Sequence, residues 1–285
     1  MASCAQHAGQ KGNRVTQISS SRDDRVVLRA EALGHRYGDN IALGHIDFTV
    51  CKGEIVCVVG PSGVGKTTML RCLAGLQRPT SGTVTCAGHP VESPPKEMAV
   101  VFQDYSRSLM PWLKVTANIT LALSNEKIGR ARKKEMAAEV LATVGLEGVG
   151  SSYPWQLSGG MQQRVAIARA LVGHPAIVLM DEPFASVDAQ TRADLEDMVI
   201  DLRARLGVTV LLVTHDIDEA VYLGDRVVVL SGKPATVDEI IDVDLGEHRD
   251  QIQTKSKTLF ADLRAEVLEL IRPSAADGAR TSPAP

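Results

Sequence analysis

The 285-residue chain contains no apolar run approaching the ~20 residues needed to cross a bilayer, so no segment of it is expected to span a membrane. Residues 1–25 lack the apolar core of a secretory signal; they are polar, short of large apolar side chains, and read as a flexible tail. The five cysteines, at positions 4, 51, 57, 72 and 86, form no C-x-x-C pair and no metal-ligand spacing. Cys57 and Cys72 stand among apolar neighbours and read as small buried hydrophobes, which makes the cytosol the expected compartment. A surplus of one charge is also missing. The formal net charge of −3 gives nucleic acid no electrostatic footprint, and no such partner is expected. No internal repeat is visible. What is present is an ordinary balance of 44% hydrophobic and 23% charged residues, in a chain long enough for one large α/β domain, alone or with a subdomain.

Within that ordinary composition one stretch organises the rest. The apolar run Ile55-Val-Cys-Val-Val59 leads into Gly60-Pro61-Ser62-Gly63-Val64-Gly65-Lys66-Thr67, and the helix-like Thr68-Met-Leu-Arg-Cys-Leu-Ala74 follows. A strand, then G-x-x-x-x-G-K-T, then a helix is a P-loop in its expected context. Glycines let successive backbone N–H groups turn inward around an anion, and the helix dipole points its positive end at the same spot. Lys66 can reach the β- and γ-phosphates, and the Thr67 hydroxyl can join a Mg²⁺ shell. Gly60 through Thr68 are therefore candidate nucleoside-triphosphate ligands.

Elsewhere the pattern is mostly alternation. Val26–Ala30 and Ile46–Val50 read as strands flanking the turn Tyr37-Gly-Asp-Asn40, and Gly82–Gly88 and Met98–Phe102 as two more. Between about 104 and 172 the sequence becomes helix-rich, with Met136, Val140, Leu141 and Val144 at helical spacing inside Glu126–Gly145. Strand–helix alternation then resumes: strand 177–180, helix 190–206, strand 208–214, helix 216–223, strand 226–230. The expected class is α/β: a P-loop core with a mainly parallel sheet, an N-terminal antiparallel β subdomain and an inserted helical subdomain. An amphipathic helix over Leu259–Ile271 precedes a Pro/Ala/Ser tail, 273–285, expected to be disordered.

Two further stretches narrow the chemistry. Ile177-Val-Leu-Met180 ends in Asp181-Glu182-Pro183. Neighbouring side chains on a strand project to opposite sides, so Asp181 can serve Mg²⁺ while Glu182 polarises a water against the γ-phosphate. Leu157-Ser158-Gly159-Gly160-Met-Gln-Gln-Arg164 opens a second helix with free N–H groups, a second anion site where one nucleotide needs only one. A head-to-tail dimer resolves the surplus, with Ser158 of one copy closing over ATP held by the P-loop of the other.

On these motifs the chain resembles the ATP-binding subunits of ABC transporters, over about residues 26–232. The resemblance implies that Tyr37 stacks on adenine, that Gln103 senses Mg²⁺ and γ-phosphate and couples to a membrane subunit, and that His215 contacts the γ-phosphate. It places Ser186-Val187-Asp188 in the D-loop, where the family commonly has Ala-Leu-Asp or Gly-Leu-Asp. It implies ATP as substrate with Mg²⁺, catalysis by Glu182, His215 and Gln103, and a metal held through Thr67, Gln103 and Asp181. It further implies transmembrane permease subunits as separate polypeptides, a solute-binding protein acting indirectly, and a peripheral place on the cytoplasmic face of the inner membrane. The single ATPase domain is expected over 26–272. The segment around Leu109-Met110-Pro111-Trp112 is similar to that of the nitrate/sulfonate/taurine importer group; these residues either form the groove for a permease helix or pack internally. A soluble, non-transport ABC-type ATPase is the second reading, and a P-loop small-molecule kinase a third that leaves Leu157–Arg164 unexplained.

Overall fold

The computed structural model describes residues 25–104 and 108–272. The two tail expectations fall almost wholly outside that range, as do Cys4 and residues 105–107.

Two sheets frame the molecule. Strands β1 (Val26–Tyr37) and β2 (Asn40–Cys51) form a hairpin through Gly38-Asp39, with Gly38 in the left-handed region at φ 57°. With β4 (Ser81–Cys86) and β5 (His89–Pro90) they make an antiparallel sheet in the order β2-β1-β4-β5. The second sheet is built from β3 (Ile55–Val59), β6 (Met98–Val101), β7 (Ile177–Asp181), β8 (Val210–Val213), β9 (Arg226–Ser231) and β10 (Thr236–Asp242), in the order β10-β9-β3-β8-β7-β6. Its strands are parallel except β10, which runs antiparallel on β9.

Every residue of β3, β7 and β8 is buried, as strands covered on both faces must be. The pleat then sorts their side chains into two cores. Val56 and Val58 join the antiparallel sheet and helix α1 (Lys66–Leu73), whose Met69, Leu70 and Leu73 are fully buried. Ile55, Cys57 and Val59 face the other way, toward the remaining helices. These are α2 (Val115–Thr120), α3 (Arg130–Thr143), α4 (Gly159–Leu171), α5 (Ala189–Leu206), α6 (Ile217–Leu223) and α7 (Thr258–Ile271). Val140, Leu141 and Val144 enter that core as their spacing implies, and Met136 packs at its edge. Cys57 and Cys72 are free thiols with no exposed surface, and burial pushes both thiol pKa values up, Cys72 to about 11.

β10 was not expected. It is an edge strand, Thr-Val-Asp-Glu-Ile-Ile-Asp, in which polar and apolar residues do not alternate and only Ile241 is buried, so it carries no strand period to read beforehand. Among the described residues no helix is long and apolar enough to cross a membrane.

Candidate nucleotide site

The P-loop leaves the carboxyl end of β3, which lies between β8 and β9, where open α/β sheets place their ligands. All three of its glycines are required by geometry, Gly63 by a left-handed φ of 74°. A Cβ on Gly60 would stand 2.6 Å from the Leu230 carbonyl oxygen, and Gly65 caps α1 at φ 117°. Ser62 and Gly63 form the exposed crown, while Val64 turns inward and is buried. Lys66 is buried, and its Nζ donates to the carbonyls of Gly60 (2.8 Å) and Pro61 (3.2 Å), which keeps the ammonium inside the curve of the loop. Burial lowers its pKa, and the carboxylates of Glu182 and Asp181 partly restore it.

Thr67 and Asp181 meet across the loop. Thr67 Oγ1 donates to Asp181 Oδ1 at a long 3.5 Å. Asp181 is 7% exposed, and burial raises its pKa against the opposing pull of Thr67, Arg71 and Lys66. A buried carboxylate beside a hydroxyl at the rim of a phosphate cradle fits Mg²⁺, which is held by one or two protein oxygens plus substrate phosphates. Among the described residues no cluster of three or more His, Cys, Asp and Glu offers another metal site.

Asp181 ends β7, and Glu182 does not continue the strand. Its φ of 43° is left-handed, a rare conformation for a residue with a side chain that costs about 1–2 kcal/mol. The two acids are therefore separated by a backbone turn rather than by the strand alternation anticipated from sequence. The turn brings Glu182 Oε2 to 3.2 Å from Gln103 Nε2, which donates to it, and to 3.1 Å from His215 Nδ1. Among the described residues Gln103 bonds to Glu182 and to neither Thr67 nor Asp181. His215 is exposed on its outer side.

Ser158 caps α4, its Oγ accepting from Met161 N at 3.3 Å, and the N–H groups of Gly159 and Gly160 open the helix beyond it. Asp188 caps α5 in the same way, accepting from Thr191 N (3.0 Å) and Thr191 Oγ1 (2.7 Å). The two caps touch: a Cβ on Gly160 would lie 2.3 Å from Thr191 Cγ2. Among the described residues no hydrogen bond links Ser158-Gly159-Gly160 to the P-loop of the same chain. Tyr37 stands over the start of α1, its hydroxyl donating to Gln77 Oε1 at 3.0 Å and lying 3.4 Å from Thr68 Oγ1. His35 packs edge-on against the Tyr37 ring and also bonds Gln77. These two supports of Tyr37 carry no motif of their own.

The 109–112 segment divides between interior and surface. Leu109 is buried in the core, whereas Trp112 is 71% exposed and Pro111 is exposed. Asn118, fully buried on α2, explains the shape: Oδ1 accepts from Met110 N, and Nδ2 donates to the carbonyls of Met110 and Leu113. One amide thus pins the loop from inside and leaves Trp112 on the surface.

Residues 43–185 match the family described as ABC transporter. An uncharacterized ABC transporter ATP-binding protein of Methanocaldococcus jannaschii is 46% identical over 87% of this chain and 92% of its own. The nitrate import ATP-binding protein NrtD of Synechocystis is 43% identical over 73% of this chain and 77% of its own. The aliphatic sulfonates import ATP-binding protein SsuB 2 of Burkholderia cenocepacia is 46% identical over 75% and 77%. Among solved structures, cbiO1 from Clostridium perfringens, part of the ABC transporter complex cbiONQ, superimposes with a TM-score of 0.70 at 27% identity, covering 76% of this chain and 89% of that one. A dimeric ATP-binding cassette in a post-hydrolysis state, bound to ADP and Pi, gives 0.65 at 31% identity, covering 76% and 98%. The chain belongs to the ABC transporter family and is one of its ATP-binding, ATP-hydrolysing subunits.

Proposed function

We propose that this chain energises a bacterial importer of nitrate, a sulfonate, taurine or a related small solute, as one half of a head-to-tail pair that sandwiches ATP. The observation that carries the catalytic part is the convergence of Gln103 and His215 on one oxygen of Glu182, one residue beyond the Asp181 that faces Thr67. The importer part is supported by the nitrate and sulfonate import subunits among its relatives.

In this reading Tyr37 stacks on adenine, and the backbone from Gly60 to Thr68 cradles the phosphates with Lys66 on the β- and γ-groups. Thr67, Asp181 and Gln103 would hold Mg²⁺, which when bound neutralises phosphate charge. Glu182 takes the proton of the attacking water as the bond from water oxygen to γ-phosphorus forms and ADP departs. His215 steadies the γ-phosphate oxygens, and Gln103 orients the Glu182 carboxylate. Ser158, Gly159, Gly160 and Asp188 of a second copy close the site, as the exposed helix caps and the dimeric cassette of similar fold support.

The ATPase domain runs over 26–272. Its helices between about 104 and 172 form the subdomain that meets transmembrane permease subunits at the cytoplasmic face of the membrane, with a solute-binding protein acting through them. Exposed Trp112 and Trp155 lie in that region, and aromatic side chains are favoured in such contacts.

The test is Glu182→Gln. Turnover should fall about 10²- to 10⁴-fold, the usual worth of a general base, while ATP-dependent dimerisation persists. Hydrolysis at an undiminished rate would contradict the assignment. For the transport role, the chain should co-purify from detergent-solubilised membranes with a polytopic partner, and a substrate-loaded binding protein should stimulate its ATPase. Recovery only as a free ATPase indifferent to any membrane subunit would contradict it.

A further inference from the structure

Glu182 and His215 share a polar cavity of about 30 Å³ with residues that have been given no role. Glu182, Arg192, Thr214, His215, Asp216 and Glu219 form its wall. The volume suits one or two water molecules. Two atoms belonging to these lining residues are buried and have no hydrogen-bond partner among the described residues: Arg192 Nε, a donor, and Glu219 Oε1. A buried polar atom left unpaired costs about 1–3 kcal/mol, so two of them around one small cavity call for a shared partner.

The same residues bond the two neighbours of His215, Thr214 and Asp216. Arg192, on α5 one turn beyond Asp188, places its NH1 nitrogen 3.2 Å from Asp216 Oδ2. Asp216 follows His215 directly; its N–H donates to Thr214 Oγ1 at 3.0 Å, and its Oδ1 accepts from Glu219 N at 3.1 Å. The backbone beside His215 is thus tied to α5 through the Arg192 guanidinium.

We propose that the cavity holds an ordered water bridging Glu219 Oε1 and Arg192 Nε, and that through it Glu219 is a positioning residue for His215 in ATP hydrolysis. The inference rests on the assignment of Glu182 and His215 to the γ-phosphate end of the site. A neutral carboxyl can serve the water and leave Arg192 to Asp216. An ionised one competes with Asp216 for the guanidinium and loosens the tether.

The surroundings favour the neutral form at ordinary pH. Burial, reinforced by the carboxylates of Glu196 and Asp216, pushes the Glu219 carboxyl up to about 8, with Thr214 and Arg192 pulling the other way. The groups around it are Arg192 and Glu196 from α5, Asp216 at the head of its own helix, Glu182 and His215 across the cavity, and Cys57 on β3. Glu196 is in turn bonded by Gln251 and Lys255, and Arg264 of α7 pairs with the adjacent Asp218.

The experiment is steady-state ATP hydrolysis by the full-length protein from about pH 6 to about pH 9, for wild type, Glu219→Gln, Glu219→Ala and Glu182→Gln. In wild type, kcat at about pH 9 should be about tenfold below that at about pH 7, because only about a tenth of the carboxyl stays protonated one unit above its midpoint. Glu219→Gln is uncharged throughout, and its two rates should agree within about twofold. Glu219→Ala should lower kcat with the KM for ATP retained, and glutamine should rescue the loss. An alkaline limb in Glu219→Gln that superimposes on wild type would overturn the inference, as would an alanine variant with wild-type kcat. Undiminished hydrolysis by Glu182→Gln would overturn the underlying site assignment instead, so the two failures are distinct. If the alanine variant does not fold, the glutamine profile decides.

Discussion

Arg169, on the helix that Ser158 caps, donates from its two terminal nitrogens to the carbonyl and hydroxyl oxygens of Ser108, at 2.6 and 2.9 Å. This fork ties α4 to the segment between Gln103 and Trp112. The guanidinium is largely buried, and burial lowers its pKa, so the hydrogen bonds replace lost hydration. Arg169→Ala should lower stability by about 1.5–3 kcal/mol, seen as an earlier midpoint in urea with an unchanged slope. Arg169→Lys should recover only part, because an ammonium cannot present two parallel donors. A midpoint unmoved by either change would show that the fork carries no stability.

The contact between Gly160 and Thr191 makes a second, more local prediction. Gly160→Ala drives a methyl into Thr191 Cγ2, and Thr191 cannot simply rotate because it holds Asp188 through its hydroxyl. Hydrolysis should fall while ATP binding to the P-loop stays normal. Thr191→Ser removes only the offending methyl and keeps the hydroxyl, so Gly160→Ala/Thr191→Ser should regain much of the activity. A double variant as slow as Gly160→Ala would mean that the steric contact is not the cause.

What sequence reading could reach here was local. The P-loop, the Asp181-Glu182 strand end and the Leu157–Arg164 stretch are runs of neighbours whose spacing is itself the signal. The buried strands were legible because Ile55–Val59 and Ile177–Met180 are apolar without a break. The Arg169–Ser108 fork and the Asn118 clamp join residues by tertiary folding, with no periodicity to betray them. The left-handed turn at Glu182 has no sequence signal, because nothing in a Glu-Pro step demands it and the strand alternation stops at Asp181. Glu219 is an acid in the first turn of α6, with nothing in its neighbours to mark it, and only the packing of α5 and α6 makes it a buried one.

Stability should also depend on pH through Glu219. Its folded-state pKa of about 8 lies above the ordinary carboxyl value of 4.5, so the folded protein binds an extra proton between the two. Stability tied to this group is complete below the lower value and is lost as pH rises through the upper one, at about 1.4 kcal/mol per unit of separation. Glu219→Gln should therefore raise Tm near pH 8 and flatten its dependence on pH across that window. Parallel Tm profiles for the two proteins would contradict the buried-acid account.

Lys66→Ala removes a charge that the loop carbonyls hold in place for phosphate. ATP affinity should fall about ten- to a hundredfold, as expected for a lost charged hydrogen-bond donor, measured by calorimetry. Near-normal affinity would contradict the phosphate role of the loop.

The central claim is that each ATP site is completed by a second copy of the chain, and subunit mixing tests it most directly. Glu182→Gln and Ser158→Arg should each be inactive alone. In a mixed dimer, the Ser158→Arg copy supplies an intact Glu182 and P-loop, and the Glu182→Gln copy supplies an intact Ser158, so one of the two sites is whole. An equimolar mixture should recover about a quarter of wild-type hydrolysis if copies pair at random by two-fold symmetry. A mixture as inactive as its components, under conditions where the wild type dimerises, would contradict the shared site.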